Sequence, residues 1–262
     1  MSADEADTVA FAGRGPEGVR VVRIDRPDKR NALDGPTRDA LLATMEQAIA
    51  DEARVLVLTG TEGTFASGAD LAEMRERTVA EQREFISPPR MYERIEGLSV
   101  PVIAAIDGHA LGAGLELALA CDVRLASEGA KLGSPEVNLG IIPGGGATQR
   151  LPRLIGLGQA MRLVLAGDLV DADEAAELGL VEETTADGEA VDEALDLAGS
   201  MAEHSALALA GAKRALRASW RTPLSEGIRK EVDAFADVFG SHDAQEGIDA
   251  FLEDRDPEFT HK

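Results

Sequence analysis

The chain has 262 residues, 44% of them apolar and recurring in bounded runs, with 48 acidic against 26 basic side chains and a formal charge of −22. That length carries a sizeable core, and no apolar stretch approaches the ~20 residues of a membrane span. The negative excess opposes nucleic acid and anionic membranes, and a single cysteine, Cys121, excludes an internal disulfide framework and a Cys-cluster zinc site.

Met1–Asp7 is acidic and polar, the wrong chemistry for a secretory signal, so a reduced, cytoplasmic setting is expected. Val19 to Ile24 reads as a strand that Arg26-Pro27-Asp28 ends. A helix follows from about Thr37 to Ala50, with Leu41, Leu42, Met45 and Ile49 at helical spacing. Val55 to Leu58, Val102 to Ile106 and Val123 to Ala126 read as strands apolar on both faces. Such strands alternating with helices predict a mostly parallel sheet covered by helices. Arg75 to Pro89 has no clear pattern and reads as a polar loop. From about Leu154 onward the pattern is helical: Leu157–Leu165, Ala172–Leu178, Glu189–Glu203, Ala206–Ser219, Leu224–Phe239 and Ala244–Leu252. The apolar faces of these helices need a partner, which favours an oligomer.

Three Gly-rich segments follow strands, where open α/β folds place their sites. They are Phe65–Leu71, Gly108–Glu116, and Leu132–Glu136 continuing to Gly146. In the second, small residues at 112–114 allow a sharp turn and a close approach to backbone N–H groups. The run Leu115–Ala120 reads as a helix whose N-terminus suits a developing anion. Glu116 is the lone acid in that apolar first turn. Glu136 is a second lone carboxylate, after Ser134-Pro135. Taken singly, each reads equally well as a dipole-favoured or turn-capping acid. Together, near one anion site, two carboxyls can divide acid and base work if their environments separate them.

Other chemistries find less support. No Gly-Lys-Ser/Thr follows a Gly run, and Gly112-x-Gly114 lacks the later glycine of a dinucleotide fingerprint. The four histidines, at 109, 204, 242 and 261, show no metal-ligand spacing, so no metal is expected. Ser67 lies outside any G-x-S-x-G. Tyr92 and Trp220 read as packing residues, and so few aromatics make base-stacking platforms implausible.

Several blocks together carry a family likeness: Arg26-Pro27 with Asn31-Ala32-Leu33, FASGADLAEM (Phe65–Met74), VPVIAAIDGHALGAGLELALACD (Val100–Asp122), GSPEVNLGIIPGGGATQRLPRLIG (Gly133–Gly156), AMRLVLAG with AAELGLV, and the Ala212-Lys213 helix. In unbroken order from about Val19 to Phe259, they resemble the signature blocks of the crotonase (enoyl-CoA hydratase/isomerase) family. The resemblance implies an α/β fold, a spiral of ββα turns over about residues 1–200, followed by a C-terminal helical region over 201–262 that assembles trimers or hexamers. It implies an oxyanion hole formed by the N–H groups of Ala69 and Ala113, with the thioester carbonyl of an acyl-CoA as its guest. Glu116 would activate water, Glu136 would protonate C2, and Gly144 and Gly112 would shape the site. Substrate recognition would involve Lys29, Arg30, Ala32 and Leu33, then Ala66, Ser67, Gly68, Asp70 and Leu71. No separate cofactor is implied, since CoA is part of the substrate.

Retention of both glutamates points to a hydratase, with an isomerase or another acyl-CoA reaction on the same scaffold as the alternative, and a silent acyl-CoA-binding subunit as the non-enzymatic one. The segment Phe251–Phe259 has Arg255 as its only base among four acids, where relatives often carry a basic segment reaching CoA phosphates. Acidic charge would also repel CoA unless salt screens it. The Debye length falls from about 10 Å at 0.1 M to about 3 Å at 1 M, so a salt-rich, halophilic cytoplasm is expected. The Arg75–Pro89 loop is expected to form the mobile wall of the acyl pocket.

Overall fold

The computed structural model describes residues 9–261; the acidic Met1–Asp7 segment lies outside the described residues. Strand β1 (Val9–Arg14) pairs antiparallel with β2 (Val19–Ile24), and helix α1 (Gly35–Ala50) leads to β3 (Val55–Gly60). Three short helices follow, α2 (Leu71–Glu76), α3 (Val79–Phe85) and α4 (Met91–Glu96), before β4 (Val102–Ile106). Strand β5 (His109–Leu111) and helix α5 (Ala113–Ala120) come next, then β6 (Val123–Ser127) and β7 (Lys131–Gly133). Helices α6 (Ala147–Leu154) and α7 (Gly156–Ala166) precede β8 (Leu169–Asp171), α8 (Ala172–Glu177) and β9 (Glu183–Thr185). The chain closes with α9 (Ala190–Ala202), α10 (Ala206–Ala218), α11 (Leu224–Phe239) and α12 (His242–Leu252). One sheet has six strands in the order β1-β2-β3-β4-β6-β9, parallel apart from β1. A smaller sheet has the order β5-β7-β8.

Strands that are apolar on both faces make two cores. Val22, Ile24, Leu56, Leu58, Val102, Ala104 and Ile106 pack with α1 and α5 on one face of the sheet. The alternate residues Val19, Val21, Val55, Val57, Ile103, Ala105 and Leu125 pack on the other. There α9 presents Ala190, Ala194, Ala198 and Ala202, all buried and spaced by one helical turn, so its backbone comes close to the sheet.

Several elements differ from the sequence reading for identifiable reasons. Helix α1 starts at Gly35 rather than Thr37, because the Asp34 side chain accepts the Thr37 N–H at 2.8 Å and Pro36 sits in the first turn. The expected loop Arg75–Pro89 contains α3. Its start is a capping box in which Glu81 N–H donates to Thr78 Oγ1 at 3.3 Å and Thr78 N–H to Glu81 Oε2 at 2.7 Å. The three-residue strands β5, β7, β8 and β9 are too short to show a period.

Helix α10 is pinned to the core by charge. Lys213 Nζ donates to the Val100 carbonyl at 2.8 Å and pairs with Asp122 at 2.7 Å. Arg217 reaches Asp122 and the carbonyls of Ala120 and Cys121 at the C-terminal end of α5, the negative end of that helix. Beyond it the chain shows apolar surface: Leu224 is 80% exposed, Phe235 69% and Phe251 85%.

Candidate active site

The site lies where the segments leaving β3 and β4 run side by side. Phe65 N–H donates to the Asp107 carbonyl at 2.9 Å, Ala66 N–H to His109 at 2.9 Å, and Leu111 N–H to Ala66 at 3.1 Å. The approach is so close that a Cβ on Gly114 would stand 2.0 Å from the Ala66 carbonyl oxygen. Asn31, buried and in the left-handed region, ties the first segment down through the Thr61 and Thr64 carbonyls at 3.1 and 2.6 Å. Leu33 N–H donates to the Gly68 carbonyl, and Asp70 N–H returns to Leu33. Between these bonds the N–H of Ala69 donates to nothing among the described residues, and neither does the N–H of Ala113, the first residue of α5. Gly112, at φ 52° and ψ −119°, makes the turn that leaves the Ala113 N–H at the helix end. Both alanines line a cleft of about 600 Å³.

Two carboxyls converge on the same end of α5. Glu116, 3% exposed, sits in its first turn, and its Oε1 accepts the N–H groups of Gly145 at 2.6 Å and Ala147 at 3.0 Å. Burial pushes its carboxyl above the ordinary range, the Ala147 N–H opposes that shift, and the charge of Glu136 adds to it. Glu136 arrives from the short 3-10 helix Pro135–Leu139 after β7, with Oε1 3.2 Å from where a Cβ on Gly112 would lie. Burial pushes its carboxyl up as well, its own N–H and the Ser134 hydroxyl oppose that shift, and its Oε2 is enclosed without a hydrogen-bond partner among the described residues. Like charges this close favour one charge shared by the pair. The two N–H donors favour the charged form of Glu116.

Arginines that were not singled out in the sequence hold the loop carrying those donors. Arg90 Nη1 donates to the Gly144 carbonyl, the other end of the peptide whose N–H grips Glu116. Arg150, buried, donates from Nη1 to the Gly145 carbonyl at 2.8 Å. Behind them Arg90 pairs with Glu93, and Arg150 with Glu96 at 2.7 Å. Glu96 also accepts Arg221 at 2.8 Å, which links that loop to the turn after α10. Tyr92 is buried, as its reading as a packing residue requires. It also borders the cleft, where its hydroxyl accepts Arg38 Nη1 at 3.0 Å and burial pushes its pKa up to about 12. Only pairing across the fold reveals these residues, since in the sequence they are isolated charges on helices.

The cleft lining includes Ser67, Gly68, Ala69, Leu71, Gly112, Ala113, Glu116, Glu136 and Gly144. Leu33 and Ala66 are buried behind it. Ala32 lies outside the lining, its carbonyl accepting Arg26. Asp70 caps α2 by accepting the N–H groups of Ala72 and Glu73. Lys29 and Arg30 are exposed outside the cleft. In the C-terminal segment, Arg255 is taken up within the chain, by Glu246 at 2.6 and 3.0 Å and Glu253 at 2.8 Å. The segment Gln82, Phe85 and Ile86 does form one wall of the cleft.

The profile of the family described as "Enoyl-CoA hydratase/isomerase" matches residues 14–262. The chain belongs to the enoyl-CoA hydratase/isomerase family. It is 42% identical over 242 residues to the 2,3-dehydroadipyl-CoA hydratase of Escherichia coli K12, covering 92% of this chain and 94% of that protein. It is 39% identical over 252 residues to the crotonyl-CoA hydratase of Syntrophomonas wolfei, covering 94% and 96%. The crystal structure of an enoyl-CoA hydratase from Bacillus anthracis superposes with a TM-score of 0.88 at 36% identity, covering 98% of this chain and all of that one. The α/β fold is therefore the crotonase fold, with its C-terminal helices.

The raised carboxyls of this crotonase site have a consequence for stability. Between the ordinary carboxylate range and the raised value, the folded chain binds a proton at Glu136 that the unfolded chain has lost, so stability falls as pH rises through that window. Glu136→Gln removes the penalty. At about pH 8 the variant melts above the parent, by about 2–4 °C for each kcal/mol relieved. The gain disappears near pH ~4, where both states carry the proton. Melting curves at the two pH values check this, and an equal gain at both would assign it to packing instead.

Proposed function

We propose that this protein is an enoyl-CoA hydratase that adds water, syn, across the double bond of a trans-2-enoyl-CoA to give a 3-hydroxyacyl-CoA. The observation that carries the proposal is the pair of unlike carboxyls at one helix N-terminus: Glu116 gripped by two N–H donors, Glu136 with an enclosed and unpartnered oxygen. The thioester oxygen sits between the N–H groups of Ala69 and Ala113. Glu116 takes a proton from water as its oxygen attacks C3, and the π electrons move onto the thioester oxygen as an enolate. The two N–H groups and the end of α5 stabilise that charge, each such donor contributing about 3–4 kcal/mol. The enolate collapses as Glu136 gives its proton to C2. Glu116 then holds one proton and Glu136 none, and a proton transfer through water resets the pair. Addition of water is redox neutral, so the chemistry calls for no cofactor beyond the CoA of the substrate.

Arg90 takes part as a positioning residue. Its cation on the Gly144 carbonyl polarises the peptide that donates to Glu116, which keeps Glu116 ionised.

We also propose that the enzyme works as a homotrimer or a dimer of trimers in a salt-rich cytoplasm. The exposed face of α11 and α12, with Leu224, Phe235 and Phe251, supports the first part, since apolar surface of that extent is covered in assemblies. The charge of −22 supports the second.

Three outcomes follow. The protein hydrates crotonyl-CoA, read as loss of the conjugated thioester absorbance, and Glu116→Gln or Glu136→Gln each lowers turnover at least ~10²-fold; a loss under tenfold for both variants would dismiss acid–base catalysis by the pair. For Arg90→Met, the acidic limb of the kcat/KM profile moves to higher pH and activity falls more at about pH 6 than at about pH 8, because losing a cation raises a carboxyl's pKa. A uniform loss would make Arg90 merely structural. Light scattering and melting across a KCl series give a trimer or hexamer mass, with a melting temperature that rises from ~0.1 M to ~2 M salt; a monomer throughout, or indifference to salt, would overturn the corresponding half of the proposal.

A further inference from the structure

The cleft contains one cation whose field reaches the Glu116 carboxyl but which has no role in the proton transfers proposed above. Arg38 projects from α1 into the lining, with its guanidinium carbon 5.0 Å from the Phe85 ring centroid and 5.6 Å from that of Tyr92. Its Nε points to the Leu33 carbonyl at 3.4 Å and its Nη1 donates to the Tyr92 hydroxyl at 3.0 Å. Those contacts hold one edge of the guanidinium. Nη2 has no hydrogen-bond partner, and no carboxylate lies within 4.0 Å of the group, among the described residues. The neighbouring cations are all matched. Arg90 is paired with Glu93, Arg150 with Glu96, and Arg77, 3.5 Å from the Phe85 ring centroid, with Glu73 at 2.6 Å.

Contacts place Arg38 beyond the reacting centre. From the Ala113 N–H the order runs to Glu116 one turn along α5, then to Tyr92, whose ring and Glu116 Oε2 both crowd the position of a Cβ on Gly145, and then to Arg38. A thioester seated at Ala69 and Ala113 with C3 against Glu116 sends its acyl tail in that direction. The other walls there are apolar, from Met74, Phe85, Ile86 and Ile142. A plain alkyl tail would fill them but would strip water from the guanidinium and return nothing. A carboxylate at the end of the tail would meet a held, planar donor in a largely apolar setting, where charge-assisted bonds are strongest.

We propose that Arg38 binds a terminal carboxylate on the acyl chain, so that the preferred substrates are trans-2-enoyl-CoA thioesters of dicarboxylic acids. This rests on the hydratase reading of the same site. Molar salt leaves such a contact largely intact, because an enclosed pair is screened far less than an exposed one.

The test compares kcat/KM for two six-carbon trans-2-enoyl-CoA substrates, one ending in methyl and one in carboxylate, with crotonyl-CoA as reference. The parent prefers the carboxylated substrate at least ~10-fold, a difference in the range expected for a paired charge. Arg38→Met collapses that ratio at least ~10-fold, and Arg38→Lys, which keeps the charge without the planar fork, retains part of it. A parent that hydrates crotonyl-CoA without preferring the carboxylate overturns the proposal and leaves the hydratase reading standing. An Arg38→Met variant that loses all three activities in equal proportion also overturns it, making Arg38 a counter-charge for Glu116. Failure of the parent on every substrate would instead strike at the hydratase reading.

Discussion

Glu116 is held by the N–H groups of Gly145 and Ala147, and the rest of the site is arranged around that grip. A carboxylate in an apolar helix start would ordinarily protonate to escape desolvation. Two donors on one oxygen favour its charged form while burial and the neighbouring Glu136 push in the other direction. Gly145 is bound to this role by space as well, since a Cβ there would stand 2.2 Å from Glu116 Oε2 and 2.4 Å from the Tyr92 ring. The loop of glycines at 144–146 is thus a backbone ligand for a side chain.

A loop of glycines does not hold such a position by itself, because its residues have the most conformational freedom to lose. Two ion pairs behind it, one buried and one half-buried, supply the constraint. Arg90 and Arg150 take the outward carbonyls of residues 144 and 145, and Glu93 and Glu96 anchor the arginines in turn. Breaking one partner of such a cluster leaves a buried charge uncompensated, so its members stand or fall together. Arg217 and Lys213 extend the same logic to the far end of α5, fixing the helix whose N-terminus opens on the cleft. Helix α5 is therefore clamped at both ends by groups from distant parts of the chain.

The C-terminal segment turns its charges inward on itself. Arg255 spends its donors on Glu246 and Glu253, and Glu246 is held at about 2 by that partner and by the Glu258 N–H. This arrangement fits a chain whose surface carries a large acidic excess.

Much of this was legible in the residues themselves. Doubly apolar strands dictated a parallel sheet buried on both faces, and the Gly-rich segments after Gly60 and Ile106 marked the end of the sheet where the site lies. Glu116 and Glu136 stood out as lone acids among apolar and glycine residues. Even the Thr78–Glu81 cap of α3 was written in the spacing, though the polar composition around it masked a helix of only seven residues. What the sequence could not contain was the difference between the two carboxyls. That difference comes from donors about thirty residues away, at Gly145 and Ala147, and from their absence at Glu136 Oε2. Arg38, Arg90 and Arg150 were likewise invisible, because an arginine's role depends on which charges the folded chain brings to it. Local patterns of hydrophobicity and glycine determined the elements and the place of the site; the pairing of charges and peptide dipoles across the fold decided which carboxyl is gripped by donors, which oxygen is enclosed without one, and which cation of the cleft has no carboxylate beside it.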